Sequence, residues 1–283
     1  MADGWDVAVL SRGAGRADPG VRVVSWDGKS PGAWAAELED AAALVNMTGR
    51  SIACLHTAEN RRQIVESRID AVRALDAALE RVRRRPAVWV QASAIGIYGD
   101  GGDRVFTEQD PAAGKGFLPE VCRAWEHALF GKGSLTAPRR IALRTGFVLA
   151  AEGGGLPPLV RVARRFLGGA AGSGRQYLSW IHIQDAVGAI QWLIEQPSSA
   201  GAYTLCAPAP ATNAEFMREL RRVLRRPWCP PAPAFVIRFL ARRVLHVEPG
   251  LILEGTRAAP ARLIAEGYEF RFASLREALG NVV

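Results

Sequence analysis

One rhythm constrains the fold more than any single residue. Short apolar runs alternate with longer stretches of helical periodicity over the first 150 positions. The runs are DVAVLSR (6–12), VRVVSW (21–26), AALVNM (42–47), AVWVQAS (87–93) and RIALRTGFVLA (140–150). Between them, Pro31 to Asp40 has helical character. Ile64, Ile69, Val72, Leu75, Leu79 and Val82 recur at three- to five-residue spacing with arginines on the opposite face, as in a helix that Pro86 stops. FLPEVCRAWEHALF (117–130) reads as a further helix. Strand, helix and strand in this order make parallel βαβ units joined by right-handed crossovers. The expected fold class is α/β, a doubly wound parallel sheet.

The rhythm changes after residue 150. GGGLPPL (153–159) is a glycine and proline break, with prolines where a phosphate-cradling helix would have to open. Then come WIHI (180–183), a helix starting near Asp185, and the strand AYTLCA (202–207). Thr212 with Glu215, and Ser274 with Glu277, have capping-box spacing, and PAFVIRFLARRVL (233–245) is an amphipathic helix between them. The division is a dinucleotide-binding domain over 1–150 and a smaller, mostly helical domain over 151–283, with 180–207 returning to the first.

Composition narrows the function classes. Four cysteines (Cys54, Cys122, Cys206, Cys229) lie far apart without CxxC or His at ligand spacing, which speaks for reduced thiols and against a metal site or disulfide framework. No apolar run is long enough to span a bilayer and no basic-then-apolar leader opens the chain, so a cytoplasmic location without a membrane partner is expected. The net charge of +8 is nearly all arginine, in RVRRRP (81–86), RRVLRR (221–226) and ARR (241–243). Aromatics are not interleaved with these runs as a nucleic-acid groove requires, so they read as solvated helix faces. A small-molecule partner is expected, and a homodimer is compatible with the composition.

The strand ends carry the chemistry. DVAVLSR reads as the second strand of a Rossmann-like, dinucleotide-binding sheet, whose end meets the adenosine ribose. A hydroxyl and a guanidinium there, Ser11 and Arg12, accommodate the 2′-phosphate of NADP, where an acidic residue would select NAD. VNMTG (45–49) ends a strand in small residues that let a cofactor approach the backbone. DGKS (27–30) only mimics a P-loop, because Val23 stands where the first glycine belongs.

QASAIGIYGD (91–100) is more specific. It resembles the extended short-chain dehydrogenase/reductase family, in which this strand ends in a catalytic Ser or Thr ahead of a Tyr-Gly pair; here these are Ser93 and Tyr98-Gly99. The family then places Tyr-x-x-x-Lys, with Glu four residues on. Anchored on Glu126, the tyrosine position falls on Leu118 and the lysine position on Cys122. Leucine can neither donate a proton to a carbonyl nor be tuned to do so. Eight ordered motifs run together: WDG, NMTGRSI, NRRQIVESR, SAIGIYGD, FLPEVCRAWE, LRTGFVLAAEGGGLP, GSGRQYLSWIHIQD and TNAEF. Together they resemble an atypical branch of that family, epimerase-like proteins with a C-terminal domain of unknown function, often labelled nucleoside-diphosphate-sugar epimerase or SulA-like cell-division inhibitor. The branch keeps CRAWE in place of Tyr-x-x-x-Lys.

The resemblance implies an NADP site from Ser11, Arg12, Asn46, Thr48, Gly49, Ser93 and the Thr145-Gly146 turn. It implies catalytic candidates Ser93, Tyr98, Cys122, Arg123 and Glu126, and substrate candidates Arg144, Arg175 and His182, with Glu108 and Asp185 beside them. Glu108 and Glu126 could form an acid/base pair. From their local sequence alone, Asp185 reads as a helix N-cap, His182 as a core histidine and Trp125 as packing.

The family opens on a strand and a Gly-x-x-Gly-x-x-Gly turn that holds the pyrophosphate. This chain begins near the end of the following helix, so the sheet is expected to lack its first strand, with a start placed about 25–30 residues too late. Cofactor binding and activity are accordingly expected to be impaired in the chain as it stands. Two functions are expected: an NADP-dependent oxidoreductase or epimerase with a non-standard acid/base set, or a non-catalytic NADP-sensing or scaffold protein.

Overall fold

The computed structural model describes residues 4–13, 20–131 and 138–283. Its strands are β1 (Val7–Ser11), β2 (Val21–Ser25), β3 (Ala43–Asn46), β4 (Val88–Ala94), β5 (Arg139–Thr145), β6 (Phe147–Leu149), β7 (Tyr177–Leu178), β8 (Trp180–His182), β9 (Gly201–Leu205) and β10 (Ala211–Thr212). The α-helices are α1 (Ala58–Leu79), α2 (Phe117–Phe130), α3 (Leu156–Arg164), α4 (Ile183–Glu195), α5 (Asn213–Val223), α6 (Ala234–Leu240), α7 (Gly250–Leu253), α8 (Ala261–Ala265) and α9 (Leu275–Val282).

The parallel sheet is present in two hydrogen-bonded pieces. β3, β4, β5 and β9 form one in that order, and β1 pairs with β2 in the other. Among the described residues neither β1 nor β3 has a strand on its other side. Period-2 alternation explains why the larger piece needs helices on both faces. Trp89 of β4 and Ala142 of β5 enter a core with Val72 and Leu75 of α1 and with Trp125 and Leu129 of α2. Val88, Val90, Ile141 and Leu143 point the other way, into a core with Ala189 and Leu193 of α4 and Leu263 of α8. Each large side chain buried this way contributes about 1.5–3 kcal/mol. A third core joins α3, α5 and α9 around Leu149, Trp180, Phe216 and Leu279.

Several elements depart from the expectations. RIALRTGFVLA is not one strand: it breaks at Gly146, after which β6 leaves the main sheet to pair with β8. A Cβ at Gly146 would lie 2.2 Å from the Ser179 carbonyl oxygen, so only glycine lets the two backbones meet. GGGLPPL is not merely a break, because α3 opens there with proline in its first turn, where the missing N–H costs nothing. β3 is only half-buried, with Leu44 and Asn46 inside and Val45 exposed. α1 ends at Leu79 rather than beyond Val82, and the Glu39 carboxylate takes the N–H groups of Arg83 and Arg84 in the turn that follows. The Thr212–Glu215 capping box forms, whereas Ser274 caps α9 without a side-chain hydrogen bond.

Candidate functional site

The carboxyl ends of β4 and β5 lie side by side, with Ser93 opposite Arg144 in the register. Both point to the face covered by α2, which lowers Glu126 between them. Ser93 Oγ donates to Glu126 Oε1 at 2.8 Å. Arg144 grips the same carboxylate with both arms, Nε to Oε1 at 3.0 Å and Nη2 to Oε2 at 2.9 Å. Its third nitrogen, Nη1, donates to the Tyr98 hydroxyl at 2.9 Å, and that hydroxyl lies 3.4 Å from Thr204 Oγ1 on β9. Ser93, Tyr98, Glu126 and Arg144 are each at most 8% exposed. Tyr98 is further held by stacking on Phe106 at 5.1 Å. A bidentate guanidinium–carboxylate pair is the strongest ordinary way to fix such a cluster in a low-dielectric interior.

Electrostatics follows from this packing. Burial alone would lower the Arg144 pKa, but the Glu126 carboxylate and the Tyr98 hydroxyl hold the guanidinium well above its ordinary value. Burial raises the Tyr98 phenol, only partly offset by its hydrogen bonds with Thr204 and Arg144. Cys122, one turn before Glu126 on α2, is pushed up to about 11 by burial and then by the Glu126 charge. Its thiol is therefore neutral and a poor nucleophile near neutral pH.

The other candidates divide into residues committed to structure and residues left open. Glu108 shares no hydrogen bond with Glu126 among the described residues. It accepts from the backbone N–H of Thr204 at 2.7 Å and of Arg262 at 3.3 Å, tying its loop to β9 and α8. Arg123 donates to the carbonyls of Ala112 and Gly114. His182, rather than Asp185, caps α4: its Nδ1 accepts from Gln184 N–H, while Nε2 meets Asn281 and the ring stacks on Phe272. Asp185 instead takes the N–H groups of Arg271 and Phe272, pinning the segment before α9. Arg175 is 82% exposed and only loosely paired with Asp103, at 3.8 Å.

At the remaining strand ends, Ser11 Oγ accepts from Gly13 N–H at 3.4 Å, and Arg12 is exposed with no side-chain partner among the described residues. Asn46 receives the Thr48 N–H and donates to Gln91 Oε1 at 2.8 Å, so a buried amide pair shapes the turn after β3. Gly49 faces the Arg68 guanidinium, which an added Cβ would approach to 3.1 Å. Thr145 Oγ1 donates to the Leu143 carbonyl at 3.2 Å. Sequence reasoning passed over Gln91, Arg68, Thr204 and Arg262. Gln91 carried a signal, a polar residue in an apolar strand two positions before Ser93. Arg68 carried none, because on a helix it looked like any solvated arginine.

Comparison with known proteins places this arrangement. An epimerase family protein of Bacillus subtilis is 31% identical over 99% of this chain and 90% of its own length. Human epimerase family protein SDR39U1 is 30% identical over 100% of the chain and 92% of its own length. The chain belongs to the epimerase family. Residues 232–282 match a domain of unknown function, DUF1731. The crystal structure of human SDR39U1 with NADPH superposes with a TM-score of 0.87, covering 99% of this chain and 92% of that one at 28% identity. The epimerase-like chain is thus an atypical short-chain dehydrogenase/reductase.

Proposed function

We propose that the chain binds NADP(H) across the carboxyl ends of β1, β3, β4 and β5 and engages a small molecule beside it without a tyrosine-centred proton transfer. The observation that carries this reading is the closed network around Glu126 and Arg144, which takes up the Ser93 hydroxyl and the Tyr98 phenol. A hydroxyl that donates to a buried carboxylate is not donating to a substrate carbonyl. A phenol whose pKa burial has raised is the reverse of an activated acid/base.

Three features support the cofactor. A relative of the same fold has been solved with NADPH. Arg12 offers a guanidinium with no side-chain partner among the described residues just beyond the end of β1, where NADP's 2′-phosphate is recognised. Asn46, Thr48, Gly49 and Thr145 present small and polar groups at the ends of β3 and β5. The residues fit the adenosine and nicotinamide ends. The Gly-x-x-Gly-x-x-Gly spacing falls at Gly96, Gly99 and Gly102, in the segment after β4 and well ahead of α2, where it offers no helix N-terminus to a pyrophosphate, so cofactor preference is the better readout. When bound, NADP(H) supplies hydride chemistry. The protein's own part is to orient it, with Arg175 as the substrate-side cation not consumed by the network.

The test is titration calorimetry with NADPH and NADH. NADPH is expected to bind about tenfold or more tightly than NADH, with the preference lost in Arg12→Ala, because one charge-assisted phosphate contact is worth that much. Equal affinities in the unaltered protein would remove the assignment. A second reading, a reductase, is favoured by one observation: the Tyr98 hydroxyl, held by Arg144 Nη1 at 2.9 Å and 3.4 Å from Thr204 Oγ1, is an O–H just beyond the end of β4. NADPH oxidation across a panel of carbonyls and sugar nucleotides, lost in Tyr98→Phe, would favour that reading.

A further inference from the structure

A groove of about 490 Å³ runs along α3, outside the Ser93–Arg144 network. Its apolar wall includes Leu156, Val160 and Val282, and its charged wall is Arg161, Arg164 and Arg165. The three arginines fall at i, i+3 and i+4, so they crowd one side of the end of the helix and its C-cap. All three are exposed, and none of their guanidinium groups has a hydrogen-bond or ion-pair partner among the described residues.

Two other groups of helical arginines meet carboxylates. Arg218, Arg222 and Arg276 converge on Glu219, and Arg62 lies between Glu59 and Glu66. The helix dipole favours a cation at the end of α3. It does not explain three like charges gathered along an apolar groove that holds no Asp or Glu side chain and whose Val283 α-carboxylate makes no ion pair with them among the described residues. A volume of this size suits a small ligand, and forked guanidinium donors match an oxyanion's paired oxygens.

We infer that this groove is a second binding site, for a small organic oxyanion with an apolar body: a phosphate monoester or a carboxylate. The oxyanion sits on the arginines and the apolar body on Leu156, Val160 and Val282. The site is independent of the NADP(H) reading and survives its failure.

The test is titration of the full chain with phenyl phosphate, benzoate and inorganic phosphate, repeated on Arg161→Gln/Arg164→Gln and on Arg12→Ala. Because the replaced side chains are exposed, the double variant should keep its circular dichroism spectrum and melting curve. Saturable binding is expected for phenyl phosphate, benzoate or both, tighter than for inorganic phosphate. It should weaken about tenfold or more in the double variant and with added salt, and stay unchanged in Arg12→Ala. Which of the two aromatic anions binds better decides between a phosphorylated and a carboxylate ligand. No saturable binding of either, equal binding by the folded double variant, or loss only in Arg12→Ala would overturn the site. Inorganic phosphate binding as tightly as phenyl phosphate would overturn the apolar half of the ligand.

Discussion

Strand β5 carries two arginines that each meet a helical carboxylate on the same face of the sheet, and they do different work. Arg140, near the start of the strand, donates to Asp76 of α1 at 2.6 Å and to the Leu129 carbonyl at the end of α2, with its guanidinium 5.1 Å from the Trp89 ring. It bolts two helices to the sheet. Arg144, four residues on, has as little exposure and a comparable carboxylate, but it sits at the carboxyl end beside Ser93 and Tyr98. The same chemistry there orders the side chains of the candidate site. Position along a parallel strand, rather than pairing as such, separates a structural ion pair from one that shapes a site.

The largest expected effect follows from removing one carboxylate charge from each pair. Asp76→Asn and Glu126→Gln each leave a buried arginine without its counter-charge and should cost about 3–5 kcal/mol in urea unfolding. Only Glu126→Gln should also alter NADPH affinity, measured on the fraction that remains folded. A change of affinity in Asp76→Asn as well would erase the distinction. Next, replacing the whole site pair, Glu126→Leu with Arg144→Met, should recover stability to within about 1–2 kcal/mol of the unaltered chain, because desolvation offsets most of a buried pair's attraction. Failure to recover would mean that the Ser93 and Tyr98 contacts contribute more than the ion pair. Ser93→Ala removes one donor from a carboxylate that Arg144 still holds, so about 1 kcal/mol is expected.

A buried group outside both pairs marks where pH enters. His182 is held neutral: burial lowers its pKa, with the Asn281 contact opposing. The unfolded chain titrates near the ordinary value of about 6.5, so it binds the extra proton first as pH falls. Stability should be full above that pH and decline below it. His182→Asn, which keeps a capping side chain, should flatten this acid limb in melting curves taken across pH 5–8, about the range over which an ordinary histidine charges. An unchanged slope would relocate the titration elsewhere.

The α/β rhythm and the strand ends were legible because they are local. AVWVQAS reads as a buried strand without reference to a partner, and Ser11 and Asn46 close their runs where the strands end, with Ser93 one residue short of the end of β4. What escaped depends on distant partners. Gly146 splits an apolar run only because the Ser179 carbonyl approaches it from another strand. Pro157 and Pro158 look like breakers until the chain turns α3 out of the glycines before them. Tyr98, Glu108 and Arg144 read as open polar candidates. Their commitments to Thr204, Arg262 and Glu126 exist only once β5, β9 and α2 are assembled.

The central claim is that the buried network commits the Ser93 hydroxyl and the Tyr98 phenol, leaving neither to carry a proton to a substrate. The most direct measurement is NADPH oxidation by the protein, by Tyr98→Phe and by Ser93→Ala across a panel of carbonyls and sugar nucleotides. The account predicts that any turnover found in the unaltered protein stays within about twofold in both variants. A loss of about a hundredfold or more, the size expected when a general acid is removed, would contradict it.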